Sequence, residues 1–131
     1  MRIHISGAHV IDPASGRDKP GSIFIADGKI AALDKAPDGF KADETIDAKG
    51  LTAMPGLVDL SARLREPGFE YKATLESEMR AAAAGGVTTL ACPPDTDPPL
   101  DEPGLVEMLK FRAKTLNRAR VYPIGALTQG L

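Results

Sequence analysis

Four side chains carry the chemistry this sequence offers: Ser61, Arg63, Arg65 and Asp95. Ser61 and Arg63 stand two apart in an apolar run that reads as a strand, so they share one face. Neutral imidazoles so spaced would grip a divalent cation, whereas a hydroxyl is a weak ligand and a guanidinium is a fixed cation that repels one. No metal is expected at this strand. Arg65 offers a bidentate fork to a planar anion, which makes it a candidate carboxylate clamp. Asp95 opposes that role, because a carboxylate repels an anionic ligand and competes for the fork. An ion pair of Asp95 with Arg63 or Arg65 is expected.

Around these residues run three segments: Ile46-Asp47-Ala48-Lys49-Gly50-Leu51 with Met54-Pro55-Gly56-Leu57-Val58-Asp59, then Leu64-Arg65-Glu66-Pro67-Gly68, then Ala84-Gly85-Gly86-Val87-Thr88-Thr89 leading to Pro93-Pro94-Asp95-Thr96-Asp97-Pro98. Together they resemble the amidohydrolase superfamily and, within it, the dihydroorotases, whose pattern reads His-x-His-Leu-Arg-Glu-Pro-Gly and later Met-Pro-Asn-Thr-Asn-Pro. Arg65 occupies the position that dihydroorotases use to hold the substrate carboxylate and that hydantoin- and allantoin-opening relatives generally lack. Ser61 and Arg63 replace the two metal-binding His, and Asp95 replaces the Asn that assists the Arg.

The resemblance implies zinc in active relatives and none here. It also implies kinship with the non-catalytic dihydroorotase-like proteins that accompany aspartate transcarbamoylase in pyrimidine synthesis. The expectation is therefore a pseudoenzyme with a structural role. The alternative is a fragment of an active amidohydrolase that opens a cyclic amide C–N bond, its remaining ligands lying beyond Leu131.

The elements that must position these residues fall into two patterns. From Arg2 to about Leu51 the chain reads as short strands of a small antiparallel sheet, half of a β-sandwich. Asp27-Gly28, between the β-type runs Ser22–Ala26 and Lys29–Leu33, predicts a type I′ hairpin. Pro37 to Lys41 reads as a loop and Glu44 to Asp47 as a further strand. From Thr52 onwards strands alternate with helices, the signature of a parallel sheet.

Strand one is expected over Thr52 to about Ser61, a helix over Tyr71–Ala84 ended by Gly85-Gly86, and a strand over Val87–Ala91. A Pro- and Asp-rich loop follows over Pro93–Pro103, then a helix over Gly104–Asn117 and a strand over Arg120–Ala126. The fold class is α/β, with domains 1–51 and 52–131. The resemblance makes the second domain the first three strands and two helices of a (β/α)8 barrel. A complete barrel needs about 250 residues, and this chain has 131.

A composition of 43% apolar and 26% charged residues is that of a globular protein. A net charge of −2 without a dense Lys or Arg run argues against nucleic acid and anionic membranes as partners. No stretch reaches membrane-spanning length, and the amino terminus lacks the apolar core of a secretion signal, so a cytoplasmic protein is expected. The lone Cys92 excludes an internal disulfide and reads as a small buried hydrophobe at a strand end.

Asp59 is expected to be a buried, hydrogen-bonded carboxylate, while His4 and His9 read as ordinary strand residues. Glu66-Pro67-Gly68 reads as a structural turn, and Gly85-Gly86, with no Lys-Ser/Thr following, is no phosphate loop. Unpaired strand edges and uncovered apolar faces predict a homo-oligomer or dependence on a partner.

Overall fold

The computed structural model describes all residues, 1–131, as a mixed α/β chain with two sheets. It divides into two compact units, Met1–Pro55 and Gly56–Leu131.

The first unit is a five-stranded sheet of β1 (Arg2–Asp12), β2 (Arg17–Ala26), β3 (Lys29–Leu33), β4 (Glu44–Asp47) and β5 (Thr52–Ala53). Its order is β3-β2-β1-β4, with β5 also on β1. Asp27 and Gly28 both take positive φ, 52° and 73°, as a type I′ turn between β2 and β3 requires. The register of β1 against β2 shifts between Ile5 and Ala8, where Gly7 adopts φ +73°, and beyond it Ala8 and Val10 turn into the core. Ile23 and Ala48 complete that small core. His4 and His9 both lie on β1, where His4 stacks on Phe24 at 4.5 Å and His9 Nε2 sits 2.5 Å from Asp18 Oδ1.

The sheet is not wholly antiparallel, as the sequence had suggested. β4 and β5 run parallel to β1. The loop after β3 carries the chain across the sheet, and Asp43 fixes its landing point: its carboxylate accepts the Arg2 N–H at 2.7 Å and its own N–H donates to the Arg2 carbonyl at 2.8 Å.

The expected strand Thr52–Ser61 is broken in two. Pro55 has no N–H to give a ladder, so Thr52–Ala53 pairs with β1 while β6 (Leu57–Asp59) joins the second sheet.

The second unit alternates β6, α1 (Leu75–Ala84), β7 (Val87–Cys92), α2 (Pro103–Leu116) and β8 (Arg120–Pro123). Its sheet is parallel throughout, in the order β6-β7-β8. α1 starts at Leu75, four residues later than the helical spacing suggested. Thr74 caps it in a reciprocal box with Ser77, and the preceding residues are spent on a turn closed by Phe69 N–H to the Arg65 carbonyl at 2.8 Å. α2 opens on Pro103 and ends at Asn117 in the left-handed conformation. β8 is shorter than expected, though Ile124 N–H still reaches the Cys92 carbonyl at 2.8 Å.

Leu64, Leu75, Met79, Leu90, Cys92, Leu100, Leu109 and Ala113 form the core between helices and sheet. Each buried Leu or Met stabilises the unit by about 1.5–3 kcal/mol. No helix is long and apolar enough to cross a membrane.

Candidate functional site

Two loops of the second unit build the site, one after β6 and one after β7. Ala62 N–H donates to the Ala91 carbonyl at 2.9 Å, which carries the ladder past β6 and brings Arg63 beside the end of β7. Asp97 N–H donates to the Pro67 carbonyl at 3.1 Å, tying the second loop to the first. That approach needs glycine at 68, where φ is +95° and a Cβ would fall 2.2 Å from the Asp97 carbonyl oxygen. Thr96 N–H to the Pro94 carbonyl at 2.8 Å tightens the same loop around Asp95.

Arg63 Nε donates to Asp95 Oδ2 at 2.7 Å, so of the two ion pairs the sequence allowed, Arg63–Asp95 is the one formed. Both partners are exposed, at 53% and 38%, and an ion pair in that setting stabilises by about 0–1 kcal/mol. Its main consequence is the occupancy of both groups. Arg65 lies at φ +68°, a left-handed conformation costly for a side chain with a Cβ. Arg65 lines the same cavity of about 210 Å³ as Arg63 and Asp95, together with Lys72, Phe69 and Cys92. Ser61 does not reach this cavity. It lines a neighbouring groove with Asp59 and Glu78, which Arg63 and Arg65 also border, and its N–H donates to Asp59 Oδ1 at 2.9 Å.

Asp59 is exposed, contrary to the buried carboxylate expected from sequence. It closes a short side-chain-to-backbone turn instead of serving a core. Cys92 is 1% exposed, and burial pushes its thiol up from the ordinary cysteine range, so it stays neutral and inert near neutral pH.

Glu66 exceeds the turn role its sequence suggested. It is 3% exposed; Oε1 accepts the Leu75 N–H at 2.7 Å at the start of α1, and Oε2 lies 2.5 Å from Arg112 Nη1 on α2. The Arg112 contact is an ion pair by distance and not an aligned hydrogen bond. One carboxylate thus joins the first loop to both helices, favoured by the partial positive charge at a helix start. Glu66, Lys72 and Phe69 were all missed as site-builders. Only Glu66 had a signal, an acidic residue upstream of a helix whose first N–H groups need acceptors.

A family model described as dihydro-orotase-like matches residues 50–130. The chain belongs to the dihydroorotase-like family. It is 57% identical over 130 residues to the dihydroorotase-like protein of Pseudomonas aeruginosa, covering 99% of this chain and 31% of that protein. It is 45% identical over 132 residues to the dihydroorotase of Syntrophotalea carbinolica, covering all of this chain and 31% of that one. Among solved structures, L-hydantoinase of Arthrobacter aurescens superposes with a TM-score of 0.77 at 27% identity, over 94% of this chain and 27% of that one. A dihydroorotase crystal structure at 22% identity and a TM-score of 0.62 shares the fold. The chain spans about a third of the length of the curated relatives it matches.

The zinc implied for active dihydroorotases does not fit the residues this family member presents just after β6, where positions 61 and 63 lie past the strand in which the sequence placed them. Ser61 supplies a hydroxyl, and Arg63 supplies a cation whose Nε is committed to Asp95. Within residues 1–131 no three His, Cys, Asp or Glu side chains converge as ligands.

Proposed function

We propose that this chain belongs to a catalytically inactive dihydroorotase-like protein of de novo pyrimidine biosynthesis, acting in the cytoplasm as a structural partner of aspartate transcarbamoylase. In this proposal residues 56–131 are the first three strands and two helices of a (β/α)8 barrel. One observation carries the loss of activity: a guanidinium paired to Asp95 stands where the family pattern has a zinc-binding imidazole. A site with no metal at positions 61 and 63 lacks the polarising cation and the hydroxide that amide opening would draw on. The 57% identity to a protein named dihydroorotase-like supports the placement, and the partner follows from the resemblance alone. Affinity purification of the protein from its own cells tests it. Aspartate transcarbamoylase co-purifying in fixed ratio is the expected result, and its absence from the native complex removes the partner.

A second reading is favoured by relatives at 45% and 41% identity that bear the name dihydroorotase. In it, the chain is part of an active amidohydrolase with an altered metal centre. Carbamoyl-aspartate cyclisation by the purified protein, sensitive to chelator, would decide for this reading.

A further inference from the structure

Phe111 is an aromatic side chain that the site does not use, 72% exposed near the middle of α2. Leu109 and Ala113, two positions to either side, are buried in the core, so at about 100° per residue Phe111 stands on the opposite, outward face of the helix. Towards α1 the ring borders a groove of about 360 Å³, walled further by Arg112, Thr115, Leu116 and Glu76. Both walls belong to this chain, one on each helix. A single exposed ring is ordinary; here a knob and a groove lie side by side on one patch.

The charges of that patch are sorted along the helix. Glu102 and Glu107 are exposed towards its start, and Lys114 and Arg118 are exposed at its end. Glu107 holds Lys110 at 2.7 Å, an exposed contact that is readily exchanged for another. A second α2 laid antiparallel across Phe111 therefore sets acidic half against basic half, whereas a parallel one sets like against like. Gly104, with open space where a Cβ would stand, lets the first turn approach closely.

We propose that the outward face of α2 is a docking surface for a second copy of this protein: the two α2 helices pair antiparallel about a two-fold axis at Phe111, each ring seated in the groove of the other copy. This rests on the barrel placement above, which puts α2 on the outer ring of helices. A two-fold interface uses one patch twice, so it must be complementary to itself in shape and in charge. The ring beside its groove meets the first demand, and the sorted charges meet the second. Residue 111 of one copy then lies against residue 111 of the other, and Glu107 of each lies beside Lys114 of its mate.

Sedimentation of the whole protein carrying this chain, purified alone and run over a concentration series, tests this. Wild type is expected to dimerise reversibly, and Phe111→Glu to raise the dissociation constant about tenfold or more, as loss of a central aromatic anchor does. Glu107→Lys is expected to weaken the dimer, and adding Lys114→Glu to it to restore the dimer by exchanging the two charges. Phe111→Cys under copper-phenanthroline oxidation is expected to give a disulfide-linked dimer, since only a residue at the axis meets itself within disulfide reach. Asp38→Cys, an exposed thiol on the first unit, and wild type, whose Cys92 is buried, are expected to stay uncross-linked.

A monomeric wild type, a dimer that Phe111→Glu leaves intact, a charge exchange that fails to restore association, or Asp38→Cys cross-linking as readily as Phe111→Cys would each overturn the proposal. Maleimide labelling of Phe111→Cys at high dilution keeps the two ideas separate. An unreactive thiol means that the rest of the protein covers α2, which ends the outer-ring placement and the pairing together; a reactive thiol that does not cross-link ends the pairing alone.

Discussion

Arg63 brings a permanent charge to a position where an imidazole would stay neutral, and it spends that charge on Asp95. That exchange was legible in the sequence because both departures from the family pattern fall within two short motifs. Which arginine Asp95 would choose was not, since the choice depends on how far the ladder past β6 carries Arg63 along β7. Glu66 escaped notice for a similar reason: its partners, Leu75 and Arg112, lie 9 and 46 positions away, and nothing in sequence marks such a meeting.

Replacing Glu66 by Ala removes the acceptor for the first helical N–H and leaves Arg112 unpaired. The expected cost is about 2–4 kcal/mol, read from the urea midpoint at fixed protein concentration. Arg63→Ala, which breaks only an exposed pair, is expected to cost at most about 1 kcal/mol in the same measurement.

At the scale of elements, the Asp27-Gly28 hairpin and the alternation of strands and helices after Thr52 were readable from local chemistry alone. The parallel entry of β4 and β5 beside β1 was not, because direction is set by a crossing loop and not by any strand's own residues. The start of α1 was overread by four residues, since helix formers from Tyr71 onward mask the cap that Thr74 supplies. Gly68→Ala forces a Cβ into the Asp97 backbone at a positive φ. It is expected to destabilise the second unit by about 1–3 kcal/mol and to shift the amide resonances of both site loops. Leu75→Ala opens a void in the core at the start of α1 and is expected to cost about 2–5 kcal/mol.

For the molecule as a whole, burial is one-sided. Leu57, Val58 and Tyr122 on the second sheet remain 48%, 59% and 58% exposed, and β6 and β8 each keep one unpaired edge. Parallel sheets are ordinarily covered on both faces. We therefore propose that the isolated 131-residue chain self-associates or binds a partner through these surfaces. Sedimentation is expected to show species larger than the monomer, and a compact monomer with cooperative melting would contradict this.

Metal content tests the central claim most directly. The protein carrying this chain, purified from zinc-supplemented cells without chelator, is expected to hold no stoichiometric zinc and to neither cyclise carbamoyl-aspartate nor hydrolyse dihydroorotate. Stoichiometric zinc together with turnover abolished by chelator would contradict the account.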